Sequence, residues 1–388
     1  MTQLIEFKDV KNILIIKLRH IGDVLLTIPA IRAVRERFPD ACIVALVNKG
    51  TEEMLTENPL LDAVMTFDRG ILKLPIHKRL MNEIAFARKI RAMGFDLTID
   101  LTAGDRPAIY SYISGARYRI AYDPGKKGFW GKSYLYTHLG KRTEGRNHMV
   151  LENLNLVRQF GIDADNLSVN MFFSDRDRQY VDELLSKNGL KPSTPLIHLH
   201  PTSRWIFKCW RDESMAEIID FCEDSMNTRI VITSSSDRRE MDKIKCIMDH
   251  VKSSPINLSG MLTLKQLAAL SQRASLFFGV DSAPMHIAAA VGTPVVALFG
   301  PTGAFNWGPW GNNQKSEVRS QKSEKIPYPE RNGMQRSEPH TVIQRDWDCI
   351  PCGEDGCKGS KISDCLEDIG VDEVKKIIER YLESFKKH

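Results

Sequence analysis

Asp281, Ser282 and His286 stand between two apolar runs in the stretch Ser275-Leu-Phe-Phe-Gly-Val-Asp-Ser-Ala-Pro-Met-His-Ile-Ala-Ala-Ala-Val-Gly-Thr-Pro-Val-Val-Ala-Leu-Phe-Gly300. The order reads as buried strand, polar turn, small-residue helix and second buried strand. In an open parallel sheet, ligands bind in the crevice beyond the carboxyl ends of the strands. A helix starting there, at about Ala283, points unpaired N–H groups and a positive dipole end at whatever binds, which favours phosphate. The run Ala288 to Ala290 lets such a helix lie close to its neighbours. The stretch reads as an anion site built into an α/β core.

Two more polar turns follow apolar runs in the same half of the chain. His200-Pro-Thr-Ser-Arg-Trp-Ile-Phe-Lys-Cys-Trp210 combines hydroxyls (Thr202, Ser203), a cation (Lys208) and aromatic surface (Trp205, Trp210). That set suits a phosphate-bearing ligand. Ser234-Ser-Ser-Asp237 adds a polar turn at the same expected sheet edge. In the first half, Lys17-Leu-Arg-His-Ile-Gly-Asp-Val-Leu-Leu-Thr-Ile-Pro follows the first strand with one glycine, Gly22, rather than the G-x-G-x-x-G of a dinucleotide fold. Asp23 has two readings here: a general base for a substrate hydroxyl, or simply an N-cap of the helix that follows.

The elements that must position these residues alternate. Residues 13–16, 42–47, 64–67 and 97–101 read as strands buried on both faces, with helices over 31–38, 81–93 and 147–160. A second series has strands at 196–200, 230–233, 276–278 and 295–299 and helices at about 214–222, 238–249 and 264–271. The fold class expected is α/β, with two Rossmann-like parallel-sheet domains facing a cleft. The domains are placed at 1–187 and 188–388, hinged at the Gly/Pro-rich stretch 188–195. A long loop is expected over 312–365, least ordered at 312–339, and a closing amphipathic helix over 371–385.

The 388 residues are 42% apolar and 27% charged, as in a soluble globular protein, and no apolar run approaches the ~20 residues needed to span a bilayer. The N-terminus lacks a signal-peptide layout, so the expected location is the cytoplasm, with eight reduced cysteines. Net charge is +5, but residues 69–146 hold 16 Lys/Arg against 6 Asp/Glu, a local +10 that leaves −5 for the rest. A basic half has two readings: an acidic partner such as phosphorylated headgroups or an anionic sugar, or simply a solvated surface with scattered lysines. Nucleic acid is disfavoured because no aromatic residues are spaced regularly among the charges.

Asp175-Arg-Asp177 has the D-x-D form that holds a divalent ion in some sugar transferases, but it opens a helix, where capping is the favoured role. Cys349, Cys352, Cys357 and Cys365 offer four thiols in one short segment. Their spacing is not a standard zinc-knuckle pair, so inert thiols or opportunistic disulfides are favoured over a metal.

Three blocks, 15–29, 201–210 and 279–290, together resemble the ADP-heptose:lipopolysaccharide heptosyltransferases of glycosyltransferase family 9. Ile206-Phe-Lys-Cys-Trp210 and Val280-Asp-Ser-Ala-Pro284 look most like the heptosyltransferase III branch. The resemblance implies an inverting, metal-free and cofactor-free enzyme of GT-B fold, moving heptose from ADP-heptose to a heptose hydroxyl of the lipopolysaccharide inner core. It also implies work at the inner face of the inner membrane, in peripheral contact with anionic lipid. Carried onto this chain, Asp23 matches the family's base, Lys208 the lysine on the donor diphosphate, and Thr202 and Ser203 the hydroxyl pair beside it. Asp281 and His286 match the donor-site pair, Ser282 and Ala283 supply backbone at the helix start, and Leu262 falls where an apolar side chain meets adenine. Ser234 is added from its turn at the same edge. Between Ser203 and Lys208 the chain is one residue longer than some members. The alternatives are another acceptor (heptosyltransferase II-like or a protein hydroxyl) and a nucleotide-sugar epimerase on the same fold.

Overall fold

A computed structural model describes residues 6–312 and 326–385. Two compact units divide between Phe172 and Phe173. The first holds a six-stranded sheet of β1 (Asn12–Lys17), β2 (Cys42–Asn48), β3 (Ala63–Phe67), β4 (Leu97–Asp100), β5 (Tyr118–Tyr122) and β6 (His138–Gly140). Every pairing is parallel and the order is β3-β2-β1-β4-β5-β6. Ile13 to Ile16 are buried on both faces, as a central parallel strand requires. Leu14, Ile16, Val44, Leu46 and Phe67 share one core with Ile90 and Tyr110 from the covering helices. β5 and the edge strand β6 escape the sequence reading because Tyr118-Arg-Ile and His138-Leu-Gly carry polar residues and too few apolar ones to show a period.

The second unit contains β7 (Leu196–His200), β8 (Arg229–Ile232), β9 (Ile256–Asn257), β10 (Leu276–Val280), β11 (Val295–Leu298), β12 (Gln335–Ser337) and β13 (His340–Ile343). Its order, read from β9, is β9-β8-β7-β10-β11-β13, with β12 added antiparallel at the edge. Apart from β12 this repeats the first unit's connectivity, the doubly wound order whose reversal point lies between the first and fourth strands. Alternate strand residues feed opposite faces: Phe278 packs with Leu199, Ile230 and Leu298, while Phe277 packs with Ala288, Val295 and Ala297. The C-terminal helix Val371–Phe385 lies where its apolar period places it, with Val374, Ile377, Ile378 and Leu382 in the first of those clusters.

The structure differs from the sequence reading in three places. The helix Asp175–Lys187, assigned to the first domain, belongs to the second unit, where Val181 and Leu185 pack on Leu196, Val231 and Leu270. Periodicity shows that a helix has an apolar stripe but not which sheet it covers. The expected hinge at 188–195 is pinned to the second unit, because the Arg273 guanidinium donates to the carbonyls of Lys191, Pro192 and Thr194. The loop expected over 312–365 contains a sheet strand, β13, paired parallel with β11. Of that stretch, residues 313–325 lie outside the described residues. His340 and Thr341 disguise β13 as loop, yet all four of its residues are buried, and Thr341 is satisfied by a 2.9 Å hydrogen bond with the Tyr381 hydroxyl.

Candidate functional site

In the second unit the predicted residues gather where the strand order reverses, beyond β7 and β10. After β7, residues Ile206–Lys208 form a single 3₁₀ turn. It is held from inside by buried Phe207, whose carbonyl accepts the Ser363 hydroxyl at 2.6 Å. That fixes Lys208, whose Nζ lies 2.6 Å from Asp281 Oδ2, just past the end of β10. Thr302, after β11, donates to the same carboxylate oxygen at 2.5 Å. Three strand ends thus converge on one shielded carboxylate–ammonium pair. A pair so far out of water is a charged site rather than a source of stability, since desolvation offsets much of its attraction.

The helix Ala283–Ala290 starts two residues after Asp281, and its N-cap, Ser282, makes no side-chain capping bond. Ser282 Oγ is shielded from solvent without a hydrogen-bond partner among the described residues. A buried hydroxyl left in that state costs free energy unless a ligand or water satisfies it. His286 is buried in the first turn. Small side chains let the helix sit directly on the sheet, with Met285, Ala288 and Ala289 against Phe277, Val295 and Ala297. β10 and β7 also approach closely at Gly279, where a Cβ would stand 2.5 Å from the His200 carbonyl oxygen.

The other predicted residues of this unit are less direct. Thr202 is fully buried and donates its hydroxyl proton to Glu240 at 2.7 Å, and Ser235 donates to the other oxygen of that carboxylate at 2.6 Å. Ser203 Oγ accepts from the Trp205 amide at 3.3 Å. Ser234 donates to the Ser235 carbonyl at 3.0 Å. Leu262 is half-buried beside the capping box of the helix Leu264–Arg273, packed on the Leu258 and Leu270 cluster. Trp210, read as ligand-facing surface, is instead core, packed with Ile218 and Leu366. Trp205 remains exposed, with the Arg204 guanidinium over its ring. His200 and His198 are both tied to Thr233, and burial pushes the His200 imidazole down to about 4.

In the first unit the reversal point lies between β1 and β4. Asp23 sits in the short helix Ile21–Leu25, whose N-cap is His20. Its half-buried carboxylate accepts no hydrogen bond among the described residues, so it is not the cap that one reading allowed. Lys17, the last residue of β1, is almost wholly buried, and its ammonium donates to the Leu101 carbonyl and to Asn153 Oδ1, each at 2.9 Å. Burial lowers its pKa to about 8, and the Asp23 carboxylate is the strongest influence opposing that fall. Beside it, Asp100 accepts from the Thr102 and Ala103 amides and from the Tyr136 hydroxyl. Burial nonetheless raises its pKa.

Sequence reasoning missed Thr302, Glu240 and Lys17. Thr302 had a legible signal, since Gly300-Pro-Thr302 is one more polar turn after an apolar run at the same edge. Glu240 and Lys17 had none; a helix-face glutamate and a strand-end lysine look solvent-facing until packing buries them. Asp177 does cap: it closes a capping box with Ser174 at the start of the helix Asp175–Lys187. Among the described residues no group of three or more His, Cys, Asp or Glu side chains could hold a metal ion, the four late cysteines included, and all eight cysteines are free thiols.

The model of glycosyltransferase family 9 (heptosyltransferase) matches residues 84–334. Lipopolysaccharide heptosyltransferase 3 of Escherichia coli is 33% identical over 76% of this chain and 85% of its own. Among solved structures, a family 9 glycosyltransferase from Veillonella parvula aligns with a TM-score of 0.76, at 21% identity over 96% of this chain and 97% of that one. The ADP-heptose lipopolysaccharide heptosyltransferase II of E. coli aligns at 0.73, with 18% identity over 97% and 99% of the two chains. Two parallel-sheet α/β units with polar strand ends at each reversal point are therefore the frame of a known enzyme group, and this chain belongs to glycosyltransferase family 9, the heptosyltransferases.

Proposed function

We propose that this enzyme transfers heptose from ADP-heptose to a heptose hydroxyl of the lipopolysaccharide inner core, as a heptosyltransferase III, with inversion at the anomeric carbon. The observation that carries the reading is the Lys208–Asp281–Thr302 cluster beside the uncapped start of the helix Ala283–Ala290, in a chain one-third identical to a lipopolysaccharide heptosyltransferase 3. The donor diphosphate takes Lys208 and the helix N-terminus; Asp281 and His286 turn to the heptose, with Ser282 and Ala283 giving backbone contacts. Thr202, Ser203 and Ser234 line the phosphate end, and Leu262 meets adenine.

In this mechanism Asp23 accepts the proton of the acceptor hydroxyl as its oxygen attacks the anomeric carbon from the face opposite ADP. The bond from that carbon to the diphosphate oxygen breaks, and the charge growing on ADP is stabilised by Lys208 and the helix dipole. Such preorganised electrostatics are commonly the largest catalytic term. No step calls for a metal or a cofactor. The acceptor is lipid-borne, and the excess of positive charge in residues 69–146 fits peripheral contact with the anionic inner face of the inner membrane. No helix among the described residues is long and apolar enough to cross a membrane.

The test is incubation with ADP-heptose and defined core oligosaccharides, followed by mass, linkage and anomeric analysis of the product. Transfer with an inverted anomeric centre is expected. Donor hydrolysis or epimerisation without transfer overturns the reading, and a retained configuration overturns the mechanism.

A further inference from the structure

We propose that the outer face of the helix Ile76–Ala92, together with the Phe129–Trp130 turn, is a docking surface that seats the first unit on an anionic lipid bilayer. This rests on the membrane contact proposed above and names the residues that make it.

The helix carries two apolar stripes. Phe86 and Ile90 face inward and join the Leu14–Phe67 core. Ile76, Leu80, Met81 and Ile84 stay open to solvent: Ile76 is 74%, Met81 69%, Leu80 58% and Ile84 43% exposed. The stripe does not stand alone. Ile76 and Leu80 line one shallow, mainly apolar hollow with Asp105, Arg106 and Ile109. Asp105 in turn pairs with Lys132 at 3.2 Å and abuts Gly128, which leads into Phe129 and Trp130. Trp130 is 94% exposed. Isolated surface apolar residues need no explanation, but several exposed on one helix face, with an exposed tryptophan turn linked to them through Asp105, mark an interaction site.

The charges around the patch say what covers it. Its acidic groups are already engaged, Glu83 with Arg106 at 2.8 Å and Asp105 with Lys132. Lys78, Arg88, Lys89, Lys126 and Lys127 form no ion pair among the described residues. An apolar stripe flanked by unpaired cations, with an aromatic side chain at its rim, is the composition of an interfacial helix lying in the headgroup layer of a negatively charged leaflet.

The experiment uses the full chain, sedimented with vesicles of phosphatidylethanolamine and phosphatidylglycerol and, separately, of phosphatidylcholine alone. The wild type should bind the anionic vesicles preferentially and release in high salt. The triple variant Ile76→Ser, Leu80→Ser, Trp130→Ser should bind them roughly tenfold or more weakly. Its melting curve and its transfer to a delipidated, water-soluble core acceptor should be unchanged. Equal vesicle binding by variant and wild type overturns the surface, as does a wild type indifferent to anionic lipid. It also falls if light scattering shows the patch joining two copies of the chain and the variant merely separates them. Failure of wild-type transfer to the soluble acceptor counts against the heptosyl reading instead, and leaves the vesicle result to decide the docking surface.

Discussion

Removing the charge of Lys208 should harm ADP binding twice over, and a double variant can separate the two effects. Lys208 Nζ lies 2.6 Å from Asp281 Oδ2, and both side chains are largely shielded from water. A charge-assisted hydrogen bond from Lys208 to the diphosphate is worth about 1.5–3 kcal/mol, so its loss alone weakens ADP by roughly 10- to 150-fold. Lys208→Ala also leaves the Asp281 carboxylate without its cation. A diphosphate oxygen at hydrogen-bond distance beyond Nζ would stand roughly 5 Å from that carboxylate, and at an effective dielectric of about 20 the repulsion is about 3.3 kcal/mol. Lys208→Ala with Asp281→Asn should therefore bind ADP more tightly than Lys208→Ala alone, by at least roughly tenfold. Asp281→Asn by itself should bind ADP as well as the wild type or better, while turnover falls. Calorimetric titration with ADP, with thermal melts to confirm folding, measures all four forms. Equal ADP affinity in Lys208→Ala and the double variant would refute the reasoning, because Asp281 would then not share the donor-phosphate field.

Three further outcomes are expected. Asp23→Asn keeps the size of the side chain and removes the proposed base, so turnover should fall by roughly 10²- to 10⁴-fold with ADP affinity unchanged; single-turnover kinetics beside ADP titration checks both halves. The second unit should weaken in acid, because burial holds His200 at about 4 and His340 at about 3. Their folded pKa values lie below the unfolded value near 6.5, so the stability they allow is complete above pH 6.5 and is lost as the pH falls towards 4; at pH 5 each costs about 2 kcal/mol. Urea midpoints at pH 7 and 5 should show the drop, and His340→Leu should shrink it. Gly279→Ala forces a Cβ to 2.5 Å from the His200 carbonyl oxygen, and should destabilise the second unit by roughly 1–3 kcal/mol in chemical unfolding; an unchanged midpoint would mean that β7 and β10 part without cost.

The sequence alone determined that this chain is a double α/β protein with polar, anion-suited turns at its strand ends. Unbroken apolar runs such as Ile13–Ile16 and Leu276–Phe278, alternating with amphipathic stretches, read as strands buried on both faces, and the polar turns after them fall where parallel sheets bind ligands. The closing helix was equally legible, because its apolar period is strong enough to set its own limits. Family-specific spacing around Asp23, Lys208 and Asp281 then narrowed generic anion chemistry to one enzyme group. Tertiary structure decided what short or polar segments conceal. β5, β6 and β13 owe their places to neighbours rather than to their own pattern, and the helix Asp175–Lys187 joins whichever sheet its stripe can reach. Only folding sets Thr302 on Asp281, turns Thr202 to Glu240, sinks Trp210 into the core and buries Lys17 against Leu101 and Asn153. The physical reason is common to all four: a side chain's chemistry can be read from its type, but its burial and partner depend on residues distant in the chain.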